Sequence, residues 1–337
     1  MEYKVKVMTI HEVGKRTDSN GKPHQEDSIY PVSISPDGTE RLFILCDGMG
    51  GHAAGEVASQ TVCETMGRVI TESKEPFDDE VLLQALAKAY DKLDQIDVDS
   101  IGTHKMGTTL TLLCLHDAGA TIAHIGDSRV YHIRPNDAHK DEVLFRTRDH
   151  SLVNDLIKIG SITPEEAKHH PQKNVITRAI QPHQDKRSMP DIYHTEDVRV
   201  GDFFFLCSDG MLEEMEDRNL CNILGDTVDD EAKINMLRLA TKSNNDNHSA
   251  IMVRVVELSG APASVKPKTS AEEQPVLPKT ATARQASQPK PPTSDTQNGK
   301  PKGSDAQKKS PRRMSWIMVF LISVVVALLV ALFAAKC

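Results

Sequence analysis

The stretch Leu42-Phe43-Ile44-Leu45-Cys46-Asp47-Gly48-Met49-Gly50-Gly51-His52 opens on five apolar residues and turns abruptly to an acid and glycines. The apolar run predicts a buried strand, and Asp47 falls where that strand leaves the core. Gly48, Gly50 and Gly51 allow close backbone approach there. Beyond them Ala54, Ala58, Val62, Met66 and Ile70 recur every four residues, the spacing of a helix with one apolar face. A carboxylate at a strand end beside bare backbone is a natural ligand for a hard cation. The same Asp-Gly pair is also an ordinary turn signal. The rest of the chain weighs the two readings.

Working outward, strands are expected over 3–10, 29–34, 42–46, 108–115, 120–125, 130–133, 143–147, 198–200, 203–207 and 250–256. Helices are expected over 52–72, 79–96, 217–224 and 229–242. His116-Asp117-Ala118-Gly119 joins two strands as a hairpin. Residues 149–183 change character. A short helix runs from Ser151 to Ile159 and stops at Gly160. Another starts at Thr163-Pro164-Glu165-Glu166, with Thr163 as cap, Pro164 in the first turn and Glu166 closing a capping box. This polar, His-containing segment reads as an insertion over a sheet edge.

Composition divides the 337 residues into three unlike parts. Residues 1–258 mix apolar and charged positions as a globular domain does. Residues 259–315 are rich in Pro, Lys, Ser, Thr and Gln and hold no aromatic residue, the composition of a disordered linker. Residues 316–335 are almost wholly apolar and uncharged; as a helix they reach about 30 Å, the thickness of a bilayer core. Lys308, Lys309, Arg312 and Arg313 precede this predicted transmembrane helix, and only Lys336 and Cys337 follow it. The positive-inside rule then places the globular domain in the cytoplasm, on a single-pass C-terminal anchor. The linker would reach roughly 40 Å as a flexible chain, and its basic residues suit contact with anionic lipid.

The net charge of −8 is as unevenly spread. Residues 259–337 carry about 12 basic and about 4 acidic side chains, which leaves the globular part at roughly −16. So acidic a domain excludes nucleic acid as a natural partner and suits a protein that gathers cations. None of the six cysteines forms a CxxC pair. Cys46, Cys114 and Cys207 lie inside apolar runs and read as reduced core residues of a cytosolic domain. Met1 to Lys6 lacks the apolar segment of a secretory signal.

The acid at the end of the opening strand has echoes. Asp127, Asp209 and Asp246 also stand at ends of apolar strands, and the pair Glu26-Asp27 adjoins another. Any one of them could be a turn. Carboxylates that converge at one end of a sheet repel unless a cation neutralises them, and an all-oxygen ligand set favours Mg2+ or Mn2+ over Zn2+. Two such ions sharing a carboxylate can activate water and clamp a phosphoryl oxygen. Phosphoryl transfer needs positioning and charge neutralisation more than a protein nucleophile, and no GxSxG or Cys-centred nucleophile motif is present.

Asp47-Gly48-Met49-Gly50-Gly51-His52, Met106-Gly107-Thr108-Thr109, Gly126-Asp127-Ser128-Arg129, Ser208-Asp209-Gly210 and Asp246-Asn247-His248-Ser249 follow one another in an order that resembles protein phosphatase 2C-like (PPM-type) enzymes. The resemblance covers roughly residues 4–257, and the DGMGGH form looks most like the bacterial branch. It implies an α+β fold of two packed, mostly antiparallel sheets flanked by helices, a four-layer αββα sandwich. It implies metal-dependent hydrolysis of phosphoserine and phosphothreonine in proteins, opposite a Ser/Thr kinase, by a monomeric catalytic domain. Carried over by position, Asp47 would bridge two metals and Gly48 would lend its carbonyl. Asp209 and Asp246 would hold one ion, and Glu26 or Asp27 the other. Asp127 resembles the ligand of a third, weaker metal with Asp209. Residues 149–183 would be the flap that touches substrate.

Two positions depart from the family. Its phosphate-binding Arg usually stands five residues before the acid matching Asp27, where this chain has Lys22. Arg16 serves instead if the loop is longer, so Arg16 and Lys22 are both candidates. Met49 stands where other members carry a His taken as general acid. His52 reads as structural, and a water on the metal as the proton donor. The expectation is therefore a membrane-anchored Ser/Thr protein phosphatase. The rivals are a catalytically inactive phosphatase-like binding module and a hydrolase for a small phosphorylated metabolite.

Overall fold

The computed structural model describes residues 1–17, 21–50, 54–97, 106–135 and 142–260. His52, most of the expected linker and the expected transmembrane helix lie outside them. Among the described residues, no helix is long and apolar enough to cross a membrane.

The chain runs β1 (Glu2–Glu12), β2 (Asp27–Tyr30), β3 (Leu42–Met49), α1 (Ala54–Thr71), α2 (Asp79–Ile96), β4 (Gly107–Thr108), β5 (Leu110–His116) and β6 (Gly119–Ile125). It continues through β7 (Arg129–Arg134), β8 (Glu142–Arg146), α3 (Leu152–Lys158), α4 (Pro164–Lys168) and β9 (Asp191–Thr195). It ends with β10 (Phe203–Cys207), α5 (Asp217–Gly225), α6 (Asp230–Thr241) and β11 (His248–Ser259). One sheet has the order β1-β11-β10-β7-β8 and the other β2-β3-β5-β6-β9, with β4 also on β3. All the pairings are antiparallel.

The period of two along each strand builds the layers. On β3, Leu42, Ile44 and Cys46 pack with Val62 and Met66 of α1 and Leu82 and Leu86 of α2. The intervening Phe43 and Leu45 meet Val5, Phe204, Leu206, Ile251 and Val253 of the other sheet. On β10 the odd-numbered residues Phe203, Phe205 and Cys207 lie instead against Leu220 and Leu224 of α5 and Ile234 and Leu237 of α6. Three apolar layers between two sheets and two helix pairs make the expected αββα sandwich. Each fully buried Phe in these layers contributes about 1.5–3 kcal/mol.

Local signals explain the element ends. The Asp78 side chain accepts from Val81 N at 3.0 Å and caps α2. Thr163 and Glu166 form the expected capping box around α4, with Pro164 in its first turn. Cys46, Cys63, Cys114, Cys207 and Cys221 are free and buried. β2 is shorter than the expected 29–34, because Pro31 has no N–H to continue the ladder.

The expected strand at 198–200 is absent. Arg199 N donates to Asp202 Oδ2 at 2.9 Å, which makes a turn, and Val200 is left 59% exposed. The strand of this region is β9, which pairs with β6 at the sheet edge.

Candidate active site

Alternation carries the acids to one place. Asp47 lies two residues past Leu45 and so keeps its parity, on the side of β3 that faces the other sheet. Ser208, just past the end of β10, keeps the parity of Leu206, and Ser249 on β11 keeps that of Ile251. At this rim the apolar layer between the sheets gives way to polar side chains. A cleft of about 180 Å3 opens there, lined by Glu26, Asp47, Gly48, Asp127, Asp209 and Asp246 together with Arg16. Met49, Gly50, Asn247 and Ile176, the last from the segment 149–183, complete the lining. Lys22 and Asp27 do not line it.

Adjacent acids thus have different surroundings. Asp27 is 3% exposed, pairs across the ladder with Asp47 and accepts from the Ser208 hydroxyl at 2.9 Å. Glu26 turns to the cleft. Its N–H goes to Asn247 Oδ1 at 2.8 Å, and its carbonyl accepts from Gly48 N at 3.0 Å. Gly48 is held so closely that an added Cβ would stand 2.2 Å from Gly55 O and 2.5 Å from Glu26 O. A side chain cannot fit there.

The carboxyls affect one another. Burial, then the charges of Asp27, Asp209, Asp127 and Asp246, push the Asp47 carboxyl well above the usual carboxylate range. Burial and Asp209 push Asp127 up to about 8. Burial raises Asp209, with Asp246 adding to it, and burial raises Glu26. Asp27 is raised to about 7 by burial, offset in part by the Ser249 and Ser208 hydroxyls. Asp127 Oδ1 is buried with no hydrogen-bond partner. Clustered, desolvated oxygen atoms with an acceptor left over are the donor set a hard divalent cation takes.

Positive charge reaches the cleft from Arg16. Its backbone N–H donates to Asn245 O at 2.7 Å, which fixes the loop beside Asp246, and Arg16 Nη2 lies 2.9 Å from Asp246 Oδ2. The side chain is 65% exposed, at the mouth of the cleft. The arginine of the quoted motifs acts elsewhere. Arg129 holds Asp149 with Nε–Oδ1 at 2.6 Å and Nη2–Oδ2 at 2.7 Å, tying the root of the segment 149–183 to β7.

Several supporting residues went unassigned in the sequence. Thr109 Oγ1 accepts from Asp47 N at 2.9 Å, Thr109 N donates to Asp47 O at 2.9 Å, and Thr108 Oγ1 donates to the same carbonyl at 2.9 Å. Glu213 accepts from Asn245 N at 2.7 Å and Asp246 N at 3.3 Å. The two threonines and Asn247 stand inside the quoted motifs, so a signal for them was present. Glu213 has none.

A second group, His124, His150 and Asp191, offers donor atoms within 4.8 Å of one another. The imidazoles are stacked at 4.5 Å and 17°, so their in-plane lone pairs run side by side and do not converge. Asp191 is already held by Arg178 at 2.7 Å, and the His150 and Arg178 contacts keep its carboxyl below the ordinary range. This is a hydrogen-bonded cluster and not an ion site. Burial lowers His124 to about 4, so it is neutral at physiological pH.

Comparison with known proteins agrees with this geometry. A sequence profile described as protein phosphatase 2C matches residues 13–243. The protein phosphatase PhpP of Streptococcus pneumoniae is 40% identical over 173 residues, covering 50% of this chain and 67% of that protein. The serine/threonine protein phosphatase PstP of Mycobacterium tuberculosis is 32% identical over 269 residues, covering 78% of this chain and 49% of that protein. The crystal structure of PstP superposes with a TM-score of 0.61 at 30% identity, covering 75% of this chain and 99% of the solved one. A PstP catalytic domain in complex with two manganese ions superposes with a TM-score of 0.59 at 28% identity, covering 75% of this chain and 99% of that one.

Proposed function

Because this chain belongs to the protein phosphatase 2C family and is a protein serine/threonine phosphatase, we propose that it hydrolyses phosphoserine and phosphothreonine at a binuclear Mn2+ or Mg2+ centre in the carboxylate cleft. The observation that carries this reading is the cleft itself, where mutually raised carboxyls, the unpartnered Asp127 Oδ1 and the Arg16 guanidinium face one volume. The two manganese ions of the PstP catalytic domain support two ions here.

Asp47 would be shared by both ions, with the Gly48 carbonyl beside it. Asp209 and Asp246 would hold one ion and Glu26 the other, leaving Asp27 to support Asp47 from behind through the ladder and Ser208. Asp127 with Asp209 would hold a third, weaker ion. Bound there, the metals supply Lewis-acid charge neutralisation and activate water for attack on phosphorus. The chain's own part is positioning. Thr108 and Thr109 fix the Asp47 peptide, and Asn247 fixes Glu26. Arg16 is placed to take the substrate phosphate, and Ile176 brings the flap segment to the cleft. Met49 lines the cleft without a proton to give.

The substrates are phosphoproteins made by a Ser/Thr kinase, and the apolar segment 316–335 holds the catalytic domain at the cytoplasmic face of a membrane. The test uses the full-length chain and a phosphothreonine peptide, with and without Mn2+. Wild type should release phosphate only with the metal, and Asp209→Asn should lose at least about 100-fold in kcat. Equal release by Asp209→Asn would overturn the carboxylate cleft as the site of hydrolysis, and none by wild type would leave the inactive binding module as the better reading.

A further inference from the structure

His150 lies outside the carboxylate cleft, and nothing in the chemistry above uses it. It is 7% exposed and sits where β6 leaves the sheet. The chain turns there through Gly126, whose φ of +109° suits glycine and whose added Cβ would stand 2.6 Å from the Thr109 side chain. The next residue is Asp127.

Both polar groups of Gly126 are taken by His150. The His150 backbone N–H donates to Gly126 O at 2.9 Å, and Gly126 N donates to His150 Nδ1 at 3.1 Å. An accepting Nδ1 carries no proton, so the ring's proton is on Nε2, which donates to Asp191 Oδ2 at 3.1 Å. Arg178 Nη1 in turn holds Asp191 Oδ1 at 2.7 Å, and His124 stacks on the ring. Tautomer and ring orientation are therefore both set. The Asp127 carboxyl is fixed less well, because Oδ1 makes no hydrogen bond. Where that carboxyl points is decided by the backbone turn that bears it; His150 holds the peptide before Asp127, and Ser128 Oγ, 2.8 Å from Thr109 Oγ1, holds the residue after it.

We propose that His150, oriented by Asp191, is a positioning residue that holds the Gly126 peptide and so aims the Asp127 carboxyl into the cleft. The use made of Asp127 rests on the phosphatase reading; the clamp does not.

Two substitutions in the full-length chain separate the ring nitrogens. Asn at 150 can place an amide oxygen where Nδ1 stands and keep the acceptor for Gly126 N–H. Gln reaches the place of Nε2 and Asp191 and leaves Gly126 N–H without its partner. With a phosphothreonine peptide and Mn2+, His150→Gln should lower kcat about 10- to 100-fold with KM within about 2-fold, the range seen when the support of a ligand is lost. His150→Asn should keep about a third of kcat or more. In an Asp127→Asn background, His150→Gln should cost nothing further. Hydrogen exchange reads the clamp without activity: the Gly126 amide should exchange at least about 10-fold faster in His150→Gln and stay protected in His150→Asn. Equal loss in both variants, penalties that multiply with Asp127→Asn, or unchanged Gly126 protection in His150→Gln would each overturn the proposal. If wild type released no phosphate, the phosphatase reading would fail, and the exchange experiment would still decide the clamp.

Discussion

Asp27 and Asp127 are held protonated to higher pH than free carboxyls, at about 7 and about 8, chiefly by burial. A folded-state pKa above the unfolded value, about 3.9 for Asp, means that the folded protein binds more protons in between. Their contribution to stability is therefore complete below about pH 4 and is lost as pH rises through about 7 to 8. Asp191, Asp202 and Asp217 are shifted the other way, so their contribution is lost only in acid, below that window. Burial lowers His11, His116 and His124, which works the other way only below about pH 6.5, so with metal chelated the melting temperature should fall from about pH 6.5 to about pH 8. Mn2+ binds the deprotonated form, so its stabilising effect should grow over the same range. Scanning fluorimetry in chelator and in Mn2+ measures both; a chelated protein equally stable at both ends contradicts it. The phosphate site is a separate residue question. Arg16 lines the cleft and Lys22 does not. Arg16→Ala should raise KM for a phosphothreonine peptide about 10-fold, while Lys22→Ala should stay within about 2-fold, because a charge-assisted contact is lost only in the first. Steady-state kinetics that reversed this order would move the phosphate contact to Lys22. Sequence spacing left Arg16 and Lys22 open, and Glu26 and Asp27 too. Adjacent residues share a motif, but only the packing shows that Asp27 turns onto Ser208 and Glu26 into the cleft.

At the scale of elements, the strands that build the core were legible because their burial is regular. β3, β5, β6 and β10 are continuous apolar runs in which almost every side chain is buried. β9, Asp-Ile-Tyr-His-Thr, sits at an edge with half-buried positions, so its pattern was weak, while Val198-Arg199-Val200 alternated without being a strand. What sets the latter is a contact: the Asp202 carboxylate takes Arg199 N–H and is itself held by Arg134 at 2.7 Å and His132 at 2.9 Å. The difference can be measured. Val198 is 5% exposed and packs between the sheets, whereas Val200 is 59% exposed. Val198→Ala should destabilise by about 2 kcal/mol and Val200→Ala by no more than about 0.5 kcal/mol in urea unfolding. Comparable losses would mean that the segment is paired as a strand after all. The motifs at Asp127 and Asp209 were legible for the same reason as β3, since each follows an apolar strand. Their supports were not, because Glu213 reaches Asn245 across 32 residues.

At the scale of the whole molecule, an acidic catalytic domain is joined through a basic, Pro-rich stretch to residues 316–335, which no charge interrupts. Two kinds of membrane attachment are chemically distinct here. The basic residues 308–313 could hold the chain to anionic lipid, an interaction that high salt screens over a Debye length of about 3 Å at 1 M. A spanning helix is held by apolar transfer, and salt does not release it. The full-length protein should therefore sediment with membranes and remain there in high salt. Deleting residues 316–337 should move it to the supernatant, with kcat on a small phosphothreonine peptide unchanged, since the cleft is built wholly from residues before 260. Replacing Lys308, Lys309, Arg312 and Arg313 by Ala should leave it sedimenting, because in the proposed anchor these residues would orient a span and not hold it. Salt release of the full-length chain, or sedimentation of the deletion variant, would show that the attachment is electrostatic or lies in another part of the chain.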